Sequence, residues 1–397
     1  MINYLRLVKN KKLYQPTLST RLLLDKMGIV GKEITPEESL NNTFAWIKAS
    51  FEATNDGGSS AYYIFGGGWK ASYPETTGYL IPTLYDYAAY SGNKEWAVLA
   101  KKAADWLLKI QAPEGGWQGL QMDEKCDLRV FNSGMILDGL IAAYSVEKDT
   151  KYLESAVRGM KWIVSKIEPD GFFKKNNVVG GGAFDTLVCA CMLMVAQYLP
   201  QNEQDIYVPK IRNALDAHMQ LQTENGWFKK CNFTENNLAL LHHLGYTIDG
   251  FLISAEILND QKYYDVAKKS LNKLLSKFEV GLELPAFTAS DWSTYNDLGN
   301  KASLCLTGYS QISIAFQKVA NIENDQRFLN AALKINDLTA SIGNYKSLNN
   351  GISYGLPGSY PINGSYQPFQ LVNWAAKYHA EALLSSLNKS KAKKKSV

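Results

Sequence analysis

The segment Gln111-Ala-Pro-Glu-Gly-Gly-Trp117 contains a glycine–aromatic turn that returns along the chain at a nearly constant distance. Related turns are, in chain order, Gly66-Gly67-Gly68-Trp69, Asp170-Gly171-Phe172 and Asn225-Gly226-Trp227, with weaker copies at Trp292 and at Gly351-Ile352-Ser353-Tyr354. The aromatic residues of the first four turns follow one another at 48, 55 and 55 residues. A repeat of roughly 50–60 residues fits a pair of helices joined by one long and one short connection.

Between these turns, apolar residues recur every three or four positions, which predicts α-helices. The predicted helices are 37–54, 76–90, 94–111, 131–146, 149–167, 183–199, 204–222, 236–258, 260–278, 301–320, 323–341 and 369–387. No run alternates with period two for long enough to predict a sheet. The predicted fold class is therefore all-α.

Alternate helices differ in how their apolar residues are distributed. The segment 94–111 is amphipathic, with Leu99 and Trp106 on one side and Lys102 on the other, whereas 183–199 is apolar on almost every face. A helix that is apolar all round is buried, and one with a polar stripe lies outside. Six outer helices therefore alternate with six inner helices.

The connections alternate as well, because short turns follow the inner helices and loops of roughly 13–27 residues precede them. All the long loops then lie at one end, around the N-termini of the inner helices. The predicted architecture is an (α/α)6 toroid of six helical hairpins and twelve helices, with a funnel at this end. Helix N-termini carry partial positive charge and suit carboxylates. An open α-solenoid is the alternative, although it does not require six pairs.

The chain divides into an N-terminal arm (1–36), a catalytic or binding toroid domain (37–387) and a Lys-rich tail (388–397) that we expect to be disordered. Residues 1–32 hold seven Lys and Arg and one acid, so we expect a solvated arm, free or packed on the body, with peripheral membrane contact as the alternative. The net charge of +4 includes five lysines in the last nine residues. The folded body is then near −1, and no basic face for nucleic acid is expected.

Composition excludes several other classes of protein. No stretch approaches 18 apolar residues, so no transmembrane segment is expected. The five scattered cysteines form no CxxC pair, which argues against disulfides and structural zinc and favours a cytoplasmic location. No nucleophile elbow, P-loop or dinucleotide fingerprint is present. We expect no cofactor and no metal.

The loop before the first inner helix holds the first candidate site. Tyr73, Glu75 and Tyr79 gather there beside Trp69. Glu75 and Thr76 could simply cap the helix, but capping does not explain the aromatic residues. We therefore interpret Tyr73, Glu75 and Tyr79 as candidate catalytic groups.

Other polar residues mark the first turns of the remaining inner helices. His242, Tyr246 and Asp249 form one stripe of an apolar helix, with spacing i, i+4, i+7. Asp185 and Asn132 open two more helices, as caps or as functional groups. The catalytic candidates are Tyr73, Glu75, Tyr79, Asp185, His242 and Tyr246.

The mouth of the funnel is expected to be basic and aromatic. Five cations lie in or beside the long loops: Arg129, Lys174, Lys175, Lys229 and Lys301. Together they favour an acidic ligand. The candidate substrate-binding residues are Trp69, Trp117, Arg129, Asn132, Lys174, Trp292, Lys301, Tyr360 and Asn373. The loop 358–366 forms a lid or wall that leads to Asn373 and Trp374.

Two resemblances add to these predictions. The segment 106–117 resembles the Gln-Trp repeat of triterpene cyclases, without their Asp-x-Asp-Asp acid. Longer strings are similar to those of a bacterial family from surface-polysaccharide biosynthesis loci, which resembles six-hairpin glycosidases and the helical part of glucuronyl C5-epimerases. These strings are Tyr73-Pro-Glu-Thr-Thr-Gly-Tyr79, His242-x3-Tyr246-Thr-Ile-x-Gly250, Cys305-Leu-Thr-Gly308-x2-Gln311 and Gly358-Ser-x-Pro361 with Asn373-Trp374-x2-Lys377. The second resemblance implies a carbohydrate substrate: an oligosaccharide, a polysaccharide or a lipid-linked glycan.

One position departs from the family pattern. Where Phe-Asp-Thr-Gly is expected, this chain has Phe131-Asn-Ser-Gly134, which weakens a hydrolase that needs two carboxylates. The first hypothesis is an epimerase or lyase that removes the C5 proton of a hexuronate. In it the acid/base groups are Tyr73, Tyr79, Tyr246 and His242, Arg129 and the lysines of the mouth hold the carboxylate, and Glu75 orients. The second is a glycoside hydrolase that uses Glu75 and Asp185. The third is a toroid that binds a glycan or a partner protein without catalysis.

Overall fold

The computed structural model describes residues 16–28, 31–177, 180–234, 237–281 and 283–395, without the side chains of 389–395. Its thirteen α-helices begin with α1 (Pro16–Lys26), in the N-terminal arm. The outer helices are α2 (Pro36–Thr54), α4 (Glu95–Ile110), α6 (Thr150–Val164), α8 (Gln201–Met219), α10 (Gln261–Glu279) and α12 (Gln326–Gly343). The inner helices are α3 (Pro74–Ser91), α5 (Val130–Glu147), α7 (Thr186–Ala196), α9 (Leu241–Leu258), α11 (Leu306–Glu323) and α13 (Asn373–Lys395).

The inner helices form a closed ring. Each contacts the next in chain order, and α13 contacts α3, which closes the circle. Each outer helix from α4 to α12 packs against the inner helix that precedes it in the chain, and α2 packs against the last inner helix, α13. The prediction of an (α/α)6 toroid is confirmed, and the closed ring excludes an open solenoid.

The glycine–aromatic turns hold successive hairpins together. Gly115 and Gly226 have φ values of 105° and 86°, in the region that glycine adopts without strain. A Cβ on Gly115 would lie 2.6 Å from the carbonyl oxygen of Arg158 in the next outer helix. Trp117 is fully buried, and its Nε1 donates to the carbonyl of Leu107 at 2.8 Å. The repeated turns therefore pack each hairpin against the next one.

Three details differ from the sequence predictions. Two- and three-residue strands join the long loops, and they are too short to leave an alternating pattern. The antiparallel pairs are β1 (Tyr62–Ile64) with β2 (Gly68–Trp69) and β7 (Gln370–Val372), β3 (Ala239–Leu240) with β4 (Phe287–Thr288), and β5 (Leu304–Cys305) with β6 (Ser359–Tyr360).

The other two differences lie at the ends of the domain. The arm contains α1, whose Arg21 and Asp25 form a buried ion pair at 2.8 Å, and Asp25 also accepts from the backbone N–H of Ile362. The backbone of α13 is helical to Lys395, although disorder was predicted from residue 388, since no Gly or Pro interrupts the helix. Residues 1–15, 396 and 397 lie outside the described residues. No described helix is both long and apolar enough to cross a bilayer.

Candidate active site

A cavity of about 570 Å³ opens at the end of the toroid that carries the long loops. The first turns of the inner helices α3, α5, α9 and α13 line it, together with residues of the connecting loops. Six of the fifteen candidate residues lie on its wall: Tyr73, Glu75, Arg129, Asn132, His242 and Tyr246. The cavity thus lies at the end where the alternation of long and short connections predicts a funnel.

Tyr73, Glu75 and Asn132 form a hydrogen-bonded cluster in the cavity. Tyr73 precedes α3 with extended backbone, and Pro74 starts the helix, so Glu75 falls in its first turn. The hydroxyl of Tyr73 donates to Glu75 Oε2 at 2.7 Å. Asn132 Nδ2, from α5, lies 2.6 Å from the same oxygen and 2.9 Å from the Tyr73 hydroxyl. One carboxylate oxygen thus accepts hydrogen bonds from two inner helices.

Glu75 is poised to exchange a proton near neutral pH. Its burial raises the pKa from 4.5 to about 7, although the hydrogen bonds from Tyr73 and Asn132 lower it in part. Burial and the neighbouring Glu75 raise the pKa of Tyr73 well above its usual value. The pair therefore combines a carboxyl group that titrates near pH 7 with a tyrosine that keeps its proton. A pKa near the working pH is the property that a general acid–base catalyst needs.

His242 and Tyr246 lie one turn apart on α9, with ring centroids 4.3 Å apart. His242 Nδ1 is 2.8 Å from Gln311 Oε1 on α11. Burial lowers the pKa of His242 to about 4, so the imidazole is neutral near pH 7. Burial, and then the charge of Glu75, raise the pKa of Tyr246. This wall of the cavity therefore offers a neutral imidazole and a neutral phenol.

Aromatic rings make up much of the remaining wall. Phe131 packs against Phe184 and Tyr246, with centroid distances of 5.4 and 5.0 Å. Trp374 Nε1 donates to the hydroxyl of Tyr366 at 2.8 Å, which fixes both rings. Further aromatic residues on the wall are Tyr62, Phe233 and His243. Such a cavity can hold the apolar face of a sugar ring while a few polar groups orient it.

The cavity is less basic than the loop sequences predicted. Arg129 lies on the wall, where its Nη1 donates to the carbonyl of Asn177 at 3.2 Å, and Glu124 lies there too. Lys174 pairs instead with Asp170 in its own loop, and Lys175 lies 3.9 Å from Glu168. Lys229 and Lys301 are exposed away from the wall. Among the residues that the structure describes, Arg129 is thus the cation of this cavity.

The other predicted substrate-binding residues lie off the cavity wall and pack within the protein. Trp69 packs against Trp46 and Tyr63, with centroids 5.0 and 5.4 Å away. Trp292 is buried, and its Nε1 donates to the carbonyl of Asn225 at 3.1 Å. Like Trp117, these residues pack the turns. Tyr360, in β6, and the fully buried Asn373 also lie off the cavity wall, the latter with its amide bonded to Ser50 and Ser60.

Asp185 lies in the protein interior and not on the cavity wall. It is fully buried in a 3₁₀ turn (Ala183–Asp185) before α7 and accepts from Asn177 Nδ2 at 2.7 Å. Its Oδ2 is 3.8 Å from Nε2 of the buried His218. Its neighbour Phe184 reaches the cavity instead. The structure therefore does not bring Asp185 together with Glu75 on one wall.

A second cavity of about 550 Å³ is lined by later turns of the inner helices. Tyr79 lies on its wall, as does Asp249, which pairs with Lys318 at 2.5 Å. The polar stripe of α9 therefore runs from one cavity to the other, with His242 and Tyr246 in the first and Asp249 in the second. Burial raises the pKa of Tyr79 well above its usual value, and the carboxylate of Glu75 in the first cavity adds to this effect.

Comparisons with known proteins agree with the architecture. No protein-family model and no curated protein matches the chain. The structure is similar to an unsaturated glucuronyl hydrolase specific for heparin (TM-score 0.70, 14% identity, 90% of this chain and 98% of that one). It is also similar to the unsaturated glucuronyl hydrolase of Bacillus sp. GL1 (0.68, 15%, 88% and 96%) and to the cellobiose 2-epimerase of Bacillus thermoamylovorans (0.65, 13%, 88% and 99%). At these identities the likeness establishes the fold. That fold is an (α/α)6 toroid.

Proposed function

We propose that this protein is an enzyme that acts on a uronic-acid-containing glycan and abstracts the C5 proton of a uronate residue. The observation that carries the proposal is Glu75, a carboxyl group with a pKa near 7 that is hydrogen-bonded to Tyr73 inside an aromatic cavity. The similar structures favour this substrate class, because two act on glucuronyl compounds and the third is a sugar epimerase.

The residues of the cavity suit the two halves of the reaction. Glu75 takes the C5 proton, and the electron pair that remains at C5 delocalises into the substrate carboxylate. The guanidinium of Arg129 offsets this negative charge. Tyr246, which is neutral, returns a proton to the opposite face of C5, and the product is the epimer. Exchange with water then removes the proton from Glu75 and restores the one on Tyr246. If the electron pair at C5 instead forms a double bond to C4 and expels the oxygen there, that oxygen takes the proton of Tyr246, the product is a 4,5-unsaturated uronate and the enzyme is a lyase.

Two alternatives receive less support from the cavity. A hydrolase that uses Glu75 and Asp185 requires both carboxylates at the scissile bond, and Asp185 is buried elsewhere. The groups that bond to Glu75 are the Tyr73 hydroxyl and the Asn132 amide, and neither is a carboxylate. A purely binding protein requires no group with a shifted pKa, whereas Glu75 has one.

Proton NMR in D2O distinguishes these functions. The substrates are uronate oligosaccharides, polysaccharides and lipid-linked glycans, the last because the resemblance points to polysaccharide biosynthesis. We expect deuterium to enter at C5, and Tyr73→Phe, Tyr246→Phe and His242→Ala to reduce this exchange. A vinyl signal would identify a lyase. New reducing ends without deuterium at C5 would contradict proton abstraction and favour hydrolysis, and no change with any of these glycans would favour the binding protein.

Replacing Arg129 by Gln should weaken the binding of uronate oligosaccharides by about tenfold or more, because a hydrogen bond to a charged group is lost. Binding of a matched neutral oligosaccharide should change little. Isothermal titration calorimetry measures both affinities. Arg327→Gln is the control, because Arg327 is an exposed residue that pairs with Asp325. Equal losses for the charged and neutral ligands would contradict a role in carboxylate binding.

Asn132→Asp should move the titration of Glu75 to higher pH. A carboxylate at this position lies within hydrogen-bonding distance of Glu75, and two such groups share one proton. The free energy of unfolding should then continue to fall with rising pH beyond pH 7, where the wild-type curve levels off. Urea unfolding between pH 5 and pH 9 measures this difference. Asn132→Ala is the control, since it removes the amide without adding charge, and identical curves for the Asp and Ala variants would contradict the prediction.

A further inference from the structure

The motif Cys305-Leu-Thr-Gly308-x2-Gln311 brings a buried amide to His242. Gln311 Oε1 lies 2.8 Å from His242 Nδ1, and both residues are 4% exposed. His242 also lines the first cavity, while its Nδ1 is occupied by Gln311. The amide oxygen can only accept a hydrogen bond, so this contact requires a proton on Nδ1.

Two glycines make this contact possible. A Cβ on Gly308 would lie 2.8 Å from the backbone nitrogen of His242, so the starts of α11 and α9 meet backbone to backbone. A Cβ on Gly245 would lie 2.6 Å from Gln311 Oε1. Gly245 is three residues after His242, and Gln311 is three residues after Gly308. The two glycine positions thus open the space that the amide of Gln311 occupies.

We infer that Gln311 is a positioning residue that holds His242 as the Nδ1–H tautomer and directs the unprotonated Nε2 into the cavity. His242 then accepts a hydrogen bond from a hydroxyl of the bound sugar. It does not act as the proton donor, a role that remains with Tyr246. The tautomer is a property of the protein alone, whereas the role toward the sugar rests on the proposed function.

The surroundings of His242 favour the neutral ring. Burial lowers its pKa to about 4, and the hydrogen bond to Gln311 opposes this only in part. The titratable side chains that face the ring from α9, α13 and the preceding loop are His243, Tyr246, Tyr378 and Tyr366. Burial keeps each tyrosine protonated, and the pKa of His243 is well below its usual value. The charged residues of the same cavity are Glu75, Glu124 and Arg129.

Nitrogen NMR of the whole protein labelled with [15N]histidine tests the tautomer directly. The chain has four histidines, and the His242→Asn variant identifies the signals of His242. We expect a protonated Nδ1 and an unprotonated Nε2 from pH 8 down to about pH 5. A proton on Nε2, or a titration near pH 6.5, would overturn the inference whatever the protein does with glycans.

Gln311→Met removes the acceptor at Nδ1 without adding charge, so His242 should no longer be held in one tautomer. The Nδ1 and Nε2 signals of His242 should move toward averaged positions, and kcat for C5 exchange should fall by about 10- to 100-fold, as for other groups that orient a functional histidine. Gln317→Met is the control: Gln317 lies on the same helix, is fully buried and donates to the carbonyl of Ala382. This variant should lose stability but leave the His242 signals unchanged, and equal spectral changes in both variants would contradict the inference.

Gln311→Glu provides a second, opposite change. A carboxylate on Nδ1 favours the imidazolium form, so the pKa of His242 should rise by one unit or more. The titration of the His242 nitrogen signals should move to higher pH by the same amount, whereas Gln311→Met should not produce this shift. If the tautomer is as inferred but no glycan undergoes exchange, the proposed function fails and the inference stands. If exchange occurs with the opposite tautomer, the inference fails and the proposed function stands.

Discussion

Replacing Glu75 by Gln is expected to abolish C5 exchange and, at the same time, to stabilise the protein above pH 7. The loss of activity should be about 100- to 10,000-fold, the usual contribution of a general acid–base group. Gln is nearly isosteric, and its Oε1 can still accept from Tyr73 and Asn132. The change therefore removes the proton transfer and keeps the shape of the cavity.

The stability gain follows from the direction of the pKa shift. The pKa of Glu75 is about 7 in the folded protein, compared with 4.5 for an exposed glutamate. Between these values the native state binds more protons than the unfolded state, so the free energy of unfolding falls as pH rises. Above pH 7 the full cost of the buried charge is present, on the order of 3 kcal/mol. Glu75→Gln removes this cost.

Urea unfolding at pH 5 and pH 8 measures the effect. The variant and the wild type should differ little in stability at pH 5 and most at pH 8, where the variant is more stable. Glu114→Gln is the control, because Glu114 is an exposed loop residue. A variant that keeps full exchange activity would remove Glu75 from the mechanism. A variant with the same pH dependence as the wild type would contradict the raised pKa.

The fold was predictable because its signal is distributed over the whole chain. Twelve apolar patterns and the repeated turns each report on local packing, so the loss of any one of them would not change the prediction. The cluster of Tyr73 and Glu75 was also predictable, because both residues belong to one turn and need no long-range contact to meet. Asn132 stands where the family pattern has Asp, which made it a candidate. The structure brings its amide to Glu75, although the two residues are 57 positions apart in the sequence.

The rest of the site depends on contacts that a sequence does not record. Phe131 and Phe184 appear as ordinary core residues of inner helices, and only the closed ring determines that both face the cavity. Gln311 meets His242 through two helix backbones that approach closely. Conversely, Trp117 and Trp292 resemble sugar-stacking residues by composition, but their indole N–H groups donate to the backbone carbonyls of Leu107 in α4 and of Asn225 in a neighbouring turn. An aromatic residue in a repeated turn therefore indicates packing before it indicates binding.

Gly250→Ala should destabilise the protein by about 3 kcal/mol or more, because the added methyl group has no space. Its Cβ would lie 2.3 Å from the carbonyl carbon of Thr186 and 2.4 Å from the nitrogen of Leu187. Both are backbone atoms, so a side-chain rotation cannot relieve the clash. The helices α7 and α9 must separate, which also breaks the hydrogen bond from Thr186 Oγ1 to the carbonyl of Thr247.

The same separation should reach the active site, since Thr186 follows Phe184 and Asp185 directly, and α9 carries His242 and Tyr246. C5 exchange in Gly250→Ala should therefore fall even where the variant remains folded. Chemical unfolding and the exchange assay measure the two effects. The control variant is Ser254→Ala, one turn further along α9. The Ser254 hydroxyl is buried and has no hydrogen-bond partner among the described residues, so its removal should change stability little. Equal stability of the two alanine variants would show that α7 and α9 are not in backbone contact at Gly250. It would contradict the close packing of the inner helices that positions the site.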